Sequence, residues 1–89
     1  MNKDTLGLYS TSDLALASVI SLYHPLWAVD KTNPQKAEFI FKREEGIDKL
    51  IESFWRKELQ VEPLTYFNQI KIIKSRLYEN EIPEIKNDK

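Results

Sequence analysis

The segment Tyr9 to Pro25, YSTSDLALASVISLYHP, constrains the fold more than any other part of this chain. It carries the signals of a capped helix but has almost no side to turn toward water. On a helical projection Ser18, Ser21 and the capping residues gather on a narrow strip, and the other positions are apolar. A helix that is hydrophobic nearly all round has to be covered on several sides, so the remaining residues must be built around it. The sequence therefore predicts a central structural helix. Small Ala15 and Ala17 let it sit close to a sheet, while Leu16, Ile20 and Tyr23 reach other helices. The competing reading is that its outer side forms an oligomer seam.

The flanks of this helix are written locally. Ser10 or Thr11 offers a capping hydroxyl, Asp13 falls in the first turn beside the positive end of the helix dipole, and Ser10 with Asp13 has capping-box spacing. His24-Pro25 ends it, because the residue before proline is pushed out of the α region. Leu6 to Tyr9 reads as a short strand leading in, and residues 1–5 as a flexible polar N-terminus.

Beyond the proline, Leu26 to Asp30 and Lys36 to Lys42 are β-branched or aromatic runs separated by KTNPQ, which predicts an antiparallel hairpin with a loop. Alternation places Phe39 and Phe41 on one face with Ala37, and Glu38, Ile40 and Lys42 on the other. A helix from Glu44 or Glu45 to Leu59 follows, with Ile47, Leu50, Ile51, Phe54 and Trp55 on its apolar side and Gly46 in its first turn. QVEP breaks it. Pro63 suits the first position of a last helix, which runs to Glu79 with a core stripe of Tyr66, Ile70, Ile73 and Leu77.

The order is β-α-β-β-α-α, an α+β domain over residues 6–79 with helices on one face of a three-stranded mixed sheet. The FIF of the third strand is apolar on both faces, as a central strand is, giving spatial order 1-3-2. Residues 80–89 read as a flexible acidic tail. Eighty-nine residues with 42% hydrophobic content suffice for one core, and with 0 cysteines no disulfide supplements it. MNKDTLGLYS has no apolar run of a leader peptide behind its lysine. Leu14 to Tyr23, interrupted by two serines, is far too short to span a bilayer. A cytoplasmic chain with no membrane partner is the expectation.

Three stretches together, YSTSDLALAS, KTNPQKAEFIFK and YFNQIKIIKSRLYE, resemble the pattern of a small domain-of-unknown-function family of short prokaryotic and phage-related proteins. The resemblance covers Tyr9 to Glu79. It implies a self-contained domain in a prokaryotic or viral cytoplasm and assigns no catalytic residue.

Little in the residues points to chemistry. The sole histidine, His24, sits at a helix end where an imidazole caps rather than catalyses. Gly7 and Gly46 are too far apart for a phosphate loop. Asp30 and Glu38 sit across the hairpin as a small nuclease would place them, but the lysine after Glu38 comes two residues too late for that motif. Edge charges that discourage sheet aggregation account for them better, and no metal or other cofactor is expected.

The net charge of -1 argues against a globally basic nucleic-acid binder. Residues 42–58 carry five basic and five acidic side chains, whereas residues 63–78 have Lys71, Lys74 and Arg76 and no acid. On the last helix Phe67, Lys71, Lys74 and Tyr78 share a face away from the core stripe, with Asn68 and Ser75 at its margin and Arg76 adding charge. Amines among aromatic rings suit an acidic protein surface, or phosphates and stacked bases. Trp27 and Trp55 are expected inside the core. The reading is a non-enzymatic interaction protein of phage or mobile-element type that binds another protein or itself, with weak nucleic-acid binding by this face of the last helix as the alternative.

Overall fold

A computed structural model describes residues 7–33 and 35–79; the polar N-terminus and acidic tail expected at 1–5 and 80–89 lie outside them. Strand β1 (Leu8–Thr11) leads to helix α1 (Leu14–Ser21). Strands β2 (Leu26–Asp30) and β3 (Glu38–Lys42) follow, then helices α2 (Ile47–Trp55) and α3 (Pro63–Glu79). The sheet order is β1-β3-β2. The order of elements, the α+β class and the central position of β3 agree with the sequence reading. Both ladders are antiparallel rather than mixed, since β1 and β2 run side by side only through β3.

The core explains why the apolar helix is where it is. Five consecutive residues of α1, Leu16 to Ile20, are buried. A run longer than one turn touches every azimuth, so α1 is enclosed within the domain over Leu16 to Ile20. Leu16, Ala17 and Ile20 pack with Phe39 and Phe41 from the sheet, Ile47 from α2 and Ile73 from α3. Ala17 makes the close approach expected of it, whereas Ala15 is exposed and Tyr23 points to solvent at 56% exposure. Ser18 is fully buried, and its hydroxyl donates to Leu14 O at 2.9 Å. This bond within the helix lets a polar residue sit in an apolar interior.

Several local boundaries differ from the sequence expectation for identifiable reasons. β1 spans Leu8–Thr11 and so runs two residues past the expected end at Tyr9, because its register is set by β3, with Tyr9 opposite Phe41 and Thr11 opposite Phe39; Leu6, the expected start, lies outside the described residues. The N-cap of α1 is Asp13 itself, in extended conformation, its Oδ1 accepting from Leu16 N at 3.1 Å. Thr11 instead accepts from Asp13 N through Oγ1 and orients that cap. Helix α2 is shorter at both ends than Glu44 to Leu59. Gly46 is its N-cap at φ 92, a left-handed geometry suited to glycine. Lys57 at φ 63 stops it.

Around Lys57 the amides close a Schellman motif, Glu58 N donating to Ser53 O at 3.0 Å and Lys57 N to Phe54 O at 3.1 Å. A lysine bears the Cβ penalty of the left-handed region that glycine avoids. Lys57→Gly is expected to stabilise the domain by about 0.5 to 1 kcal/mol, read as a rise in the urea midpoint at unchanged m-value. Gly46→Ala goes the other way by about 1 kcal/mol, although its added methyl would meet nothing within 4 Å.

Helix α3 has the bounds predicted from Pro63 and the apolar stripe. Ile73 is buried, and Tyr66, Ile70 and Leu77 are partly buried beside it. Hydrogen bonds add to this attachment: Tyr66 OH donates to Ala15 O at 3.3 Å, and Gln69 Nε2 to Ser21 Oγ at 2.9 Å. Lys31 Nζ donates to Leu77 O at 2.8 Å, a cation at the negative end of the helix. Burial and the Asp13 charge raise the Tyr66 phenol above its ordinary value.

The other end of α3 is capped by Glu62, whose Oε1 accepts from Thr65 N at 2.7 Å and Thr65 Oγ1 at 2.8 Å. These bonds, the amide first, lower the Glu62 carboxyl from its ordinary 4.5. A depressed carboxyl contributes stability above its unfolded value and loses it as pH falls through the folded one. The Thr65 amide resonance is therefore expected to titrate below pH 4.5, and Glu62→Gln to abolish that transition.

Candidate interaction surface

The exposed side of α3 follows from its stripe, because the inward residues fix the azimuth of all the others. Phe67 is 54% and Tyr78 57% exposed, and Lys71, Lys74, Asn68 and Ser75 are exposed as well. Lys71 Nζ lies over the Phe67 ring, 4.8 Å from its centroid, so the amine and the aromatic form one cation-π unit. Ser75 Oγ donates to Ile72 O and stays close to the helix. Arg76 does not belong with this group. It is partly buried, about 140° round the helix from Lys71 at 100° per residue.

Sequence reasoning missed two members of this side. Leu64 is 64% exposed and lies three and seven residues before Phe67 and Lys71, extending the strip to the start of the helix. Ile72 is exposed at its other margin. The signal was available, since a leucine off the Tyr66, Ile70, Ile73, Leu77 stripe has no core to join. Beyond Lys74 the surface turns into a groove of about 270 Å³ lined by Leu14, Phe39, Leu77, Lys36 and Lys74 among others. Its apolar floor thus has lysines at its rim.

Both tryptophans are exposed, correcting the expectation that they pack inside: Trp27 is 51% and Trp55 59% accessible. Trp55 is the last residue of α2 and meets Phe54 edge-on at 4.9 Å. Trp27 sits at a register shift between Leu26 and Ala28. Leu26 pairs with Phe41 on the core face and Ala28 with Ile40 on the outer face, so the extra residue turns outward. Trp27 there lines a hollow of about 220 Å³ with Pro25, Leu26, Lys42 and Glu44.

Other polar groups have structural duties. His24 Nδ1 is 3.0 Å from Glu44 Oε1, joining the end of α1 to the segment before α2. Asp30 Oδ1 accepts from Thr32 N and Thr32 Oγ1 at 2.9 and 2.6 Å, and these bonds, the hydroxyl first, lower its carboxyl. Asp30 pairs in register with Glu38, so the two carboxylates are neighbours on the outer face. Among the described residues no three His, Asp or Glu side chains gather to hold a metal ion. No helix there is long and apolar enough to cross a membrane.

A family of proteins described as domain of unknown function, DUF5659, matches residues 7–79, from the residue before β1 to the end of α3. The chain belongs to DUF5659. The matched span contains every strand and helix described above, so the antiparallel sheet, the enclosed α1 and the outward side of α3 all lie within the DUF5659 domain. No curated protein and no solved structure matches the chain.

Proposed function

We propose that this DUF5659 protein is a non-enzymatic interaction module whose α3 face docks on an acidic, partly apolar protein surface. One observation carries the reading: Leu64, Phe67 and Tyr78 are each more than half exposed along one strip of one helix, with Lys71 seated on Phe67. Large aromatic and aliphatic anchors at helical spacing are what a protein groove receives, and an amine held on a ring gives that contact charge selectivity. A cytoplasmic setting, prokaryotic or phage-related, fits the reading, and a cysteine-free chain is compatible with it.

Nucleic acid is the second reading. It is favoured by Lys36 and Lys74 sharing one groove beside an acid-free helical segment. The overall charge of -1 weighs against it, because phosphate binding draws on the summed field.

A photoreactive phenylalanine analogue at position 67 distinguishes them. In host extract it is expected to yield a discrete protein adduct that a probe at Glu52, on α2, does not. Lys71→Glu with Phe67→Ala should weaken the captured complex by roughly tenfold or more. Absence of a position-specific adduct overturns the protein reading. Retention of labelled single-stranded nucleic acid, steeply reduced by salt and by Lys71→Glu with Lys74→Glu, would establish the second in its place.

A further inference from the structure

Among the described residues the helices pack on one side of the sheet only. Its other side is a mosaic with a definite polarity along the strands. At one end Leu8 and Lys42 pair across β1 and β3, with Trp27 beside them. The middle row is Ser10, Ile40 and Ala28. At the far end stand Glu38 and Asp30, like charges directly opposite each other, an arrangement that costs energy unless a cation relieves it, and Lys36 lines the same hollow. The described ion pairs join His24 to Glu44, Arg43 to Asp48 and Arg56 to Glu52, and leave out Lys42, Glu38 and Asp30 alike.

We propose that this outer sheet face binds a second copy of the same chain. The copies stack face to face about a two-fold axis lying along the Ser10-Ile40-Ala28 row. A two-fold interface has to be complementary to itself, and a face that is cationic at one end, apolar in the middle and anionic at the other meets that condition. Rotation about the middle row reverses the strands and keeps their lateral order. Lys42 then lies over Glu38 of the other copy, and Trp27 over its Asp30, where the indole N–H can donate to a carboxylate. Ile40 meets Ile40 at the axis, with small Ser10 and Ala28 on either side leaving room for interdigitation across about 10 Å. Stacking with the strands parallel would oppose like charges, so the arrangement is directional.

Lys42 and Glu38 stand about 13 Å apart along β3 with Ile40 midway, so both ion pairs form in one register. Three short strands offer a footprint of about 250 Å² per copy, placing the contact in the weak, transient class. This surface is opposite the α3 face, and the inference stands whether or not that face binds protein.

Sedimentation velocity from about 10 µM to 1 mM is the direct measurement. The intact chain is expected to pass from monomer to dimer across this range. Lys42→Glu and Glu38→Lys each weaken the dimer by at least about tenfold. An equimolar mixture of those two variants recovers it, because every cross-copy pair is then again of opposite sign. In a Trp55→Phe background, Trp27 emission should shift to the blue as the dimer forms. Phe67→Ala leaves the association unchanged, which separates this surface from the α3 face. A monomer throughout the range, a dimer indifferent to Lys42→Glu, or a mixture that fails to recover would each overturn the proposal.

Discussion

Phe41→Ala is expected to destabilise the domain by about 3 to 5 kcal/mol and to leave little folded protein at 37 °C. Phe41 has no exposed surface and occupies the middle of the sheet, where Leu16, Ala17 and Ile20 of α1 come down on β3. Its register partners on both sides, Tyr9 and Leu26, belong to the two edge strands, so one ring is shared by the whole sheet. Truncation opens a void that the neighbours cannot fill without moving a strand. A domain of this size holds only about 5 to 10 kcal/mol in total, and the midpoint of thermal unfolding should fall by more than about 10 °C. Phe41→Leu, which keeps most of the volume, should recover over half of the loss.

Ile73→Ala should cost about 2 to 4 kcal/mol, and the way it is lost is informative. Ile73 is the one residue of α3 in the fully buried cluster. Around it Leu77 packs against the cluster at its edge, Tyr66 and Gln69 bond to α1, and Lys31 donates to Leu77 O. Each bond of this kind contributes about 1 kcal/mol. Removing the Ile73 side chain therefore loosens α3 before it loosens the sheet. Hydrogen exchange should speed up in residues 66–78 well ahead of β3. If α3 and the sheet lose protection in parallel, the helix is part of one cooperative unit and its attachment is stronger than its single buried anchor implies.

The helices are legible in the sequence where period and punctuation agree: Pro63 begins α3 and the Tyr66 to Leu77 stripe fixes which side of it turns outward, whereas α1 ends at Ser21, short of the His24-Pro25 stop. The central position of β3 followed from a phenylalanine-isoleucine-phenylalanine run that is apolar on both faces. What escaped depended on geometry that five-residue patterns do not encode. The register shift in β2 turns Trp27 outward, and nothing in LWAVD distinguishes a bulged strand from a regular one. Gly46 at its position looked like a tolerated first-turn residue, whereas its left-handed φ makes it the helix boundary. Hydroxyls at Ser10 and Thr11 compete in the sequence for the capping role that Asp13 takes in the structure. The α3 face was visible as a pattern, except that Arg76 turns away from it and Leu64 joins it.

The position of β3 has a consequence for how the chain comes into being. Neither β1 nor β2 touches the other except through the strand that is synthesised after both. A nascent chain that has emerged only as far as residue 37 has two strands without a partner and the most apolar helix of the protein without its sheet. Every long-range pairing waits on five residues, Glu38 to Lys42. Once they leave the ribosome, both ladders can close onto one template. Until then the Leu16 to Ile20 segment is the stretch a chaperone would meet, and the transit of β3 begins a covering that Ile47 of α2 and Ile73 of α3 complete.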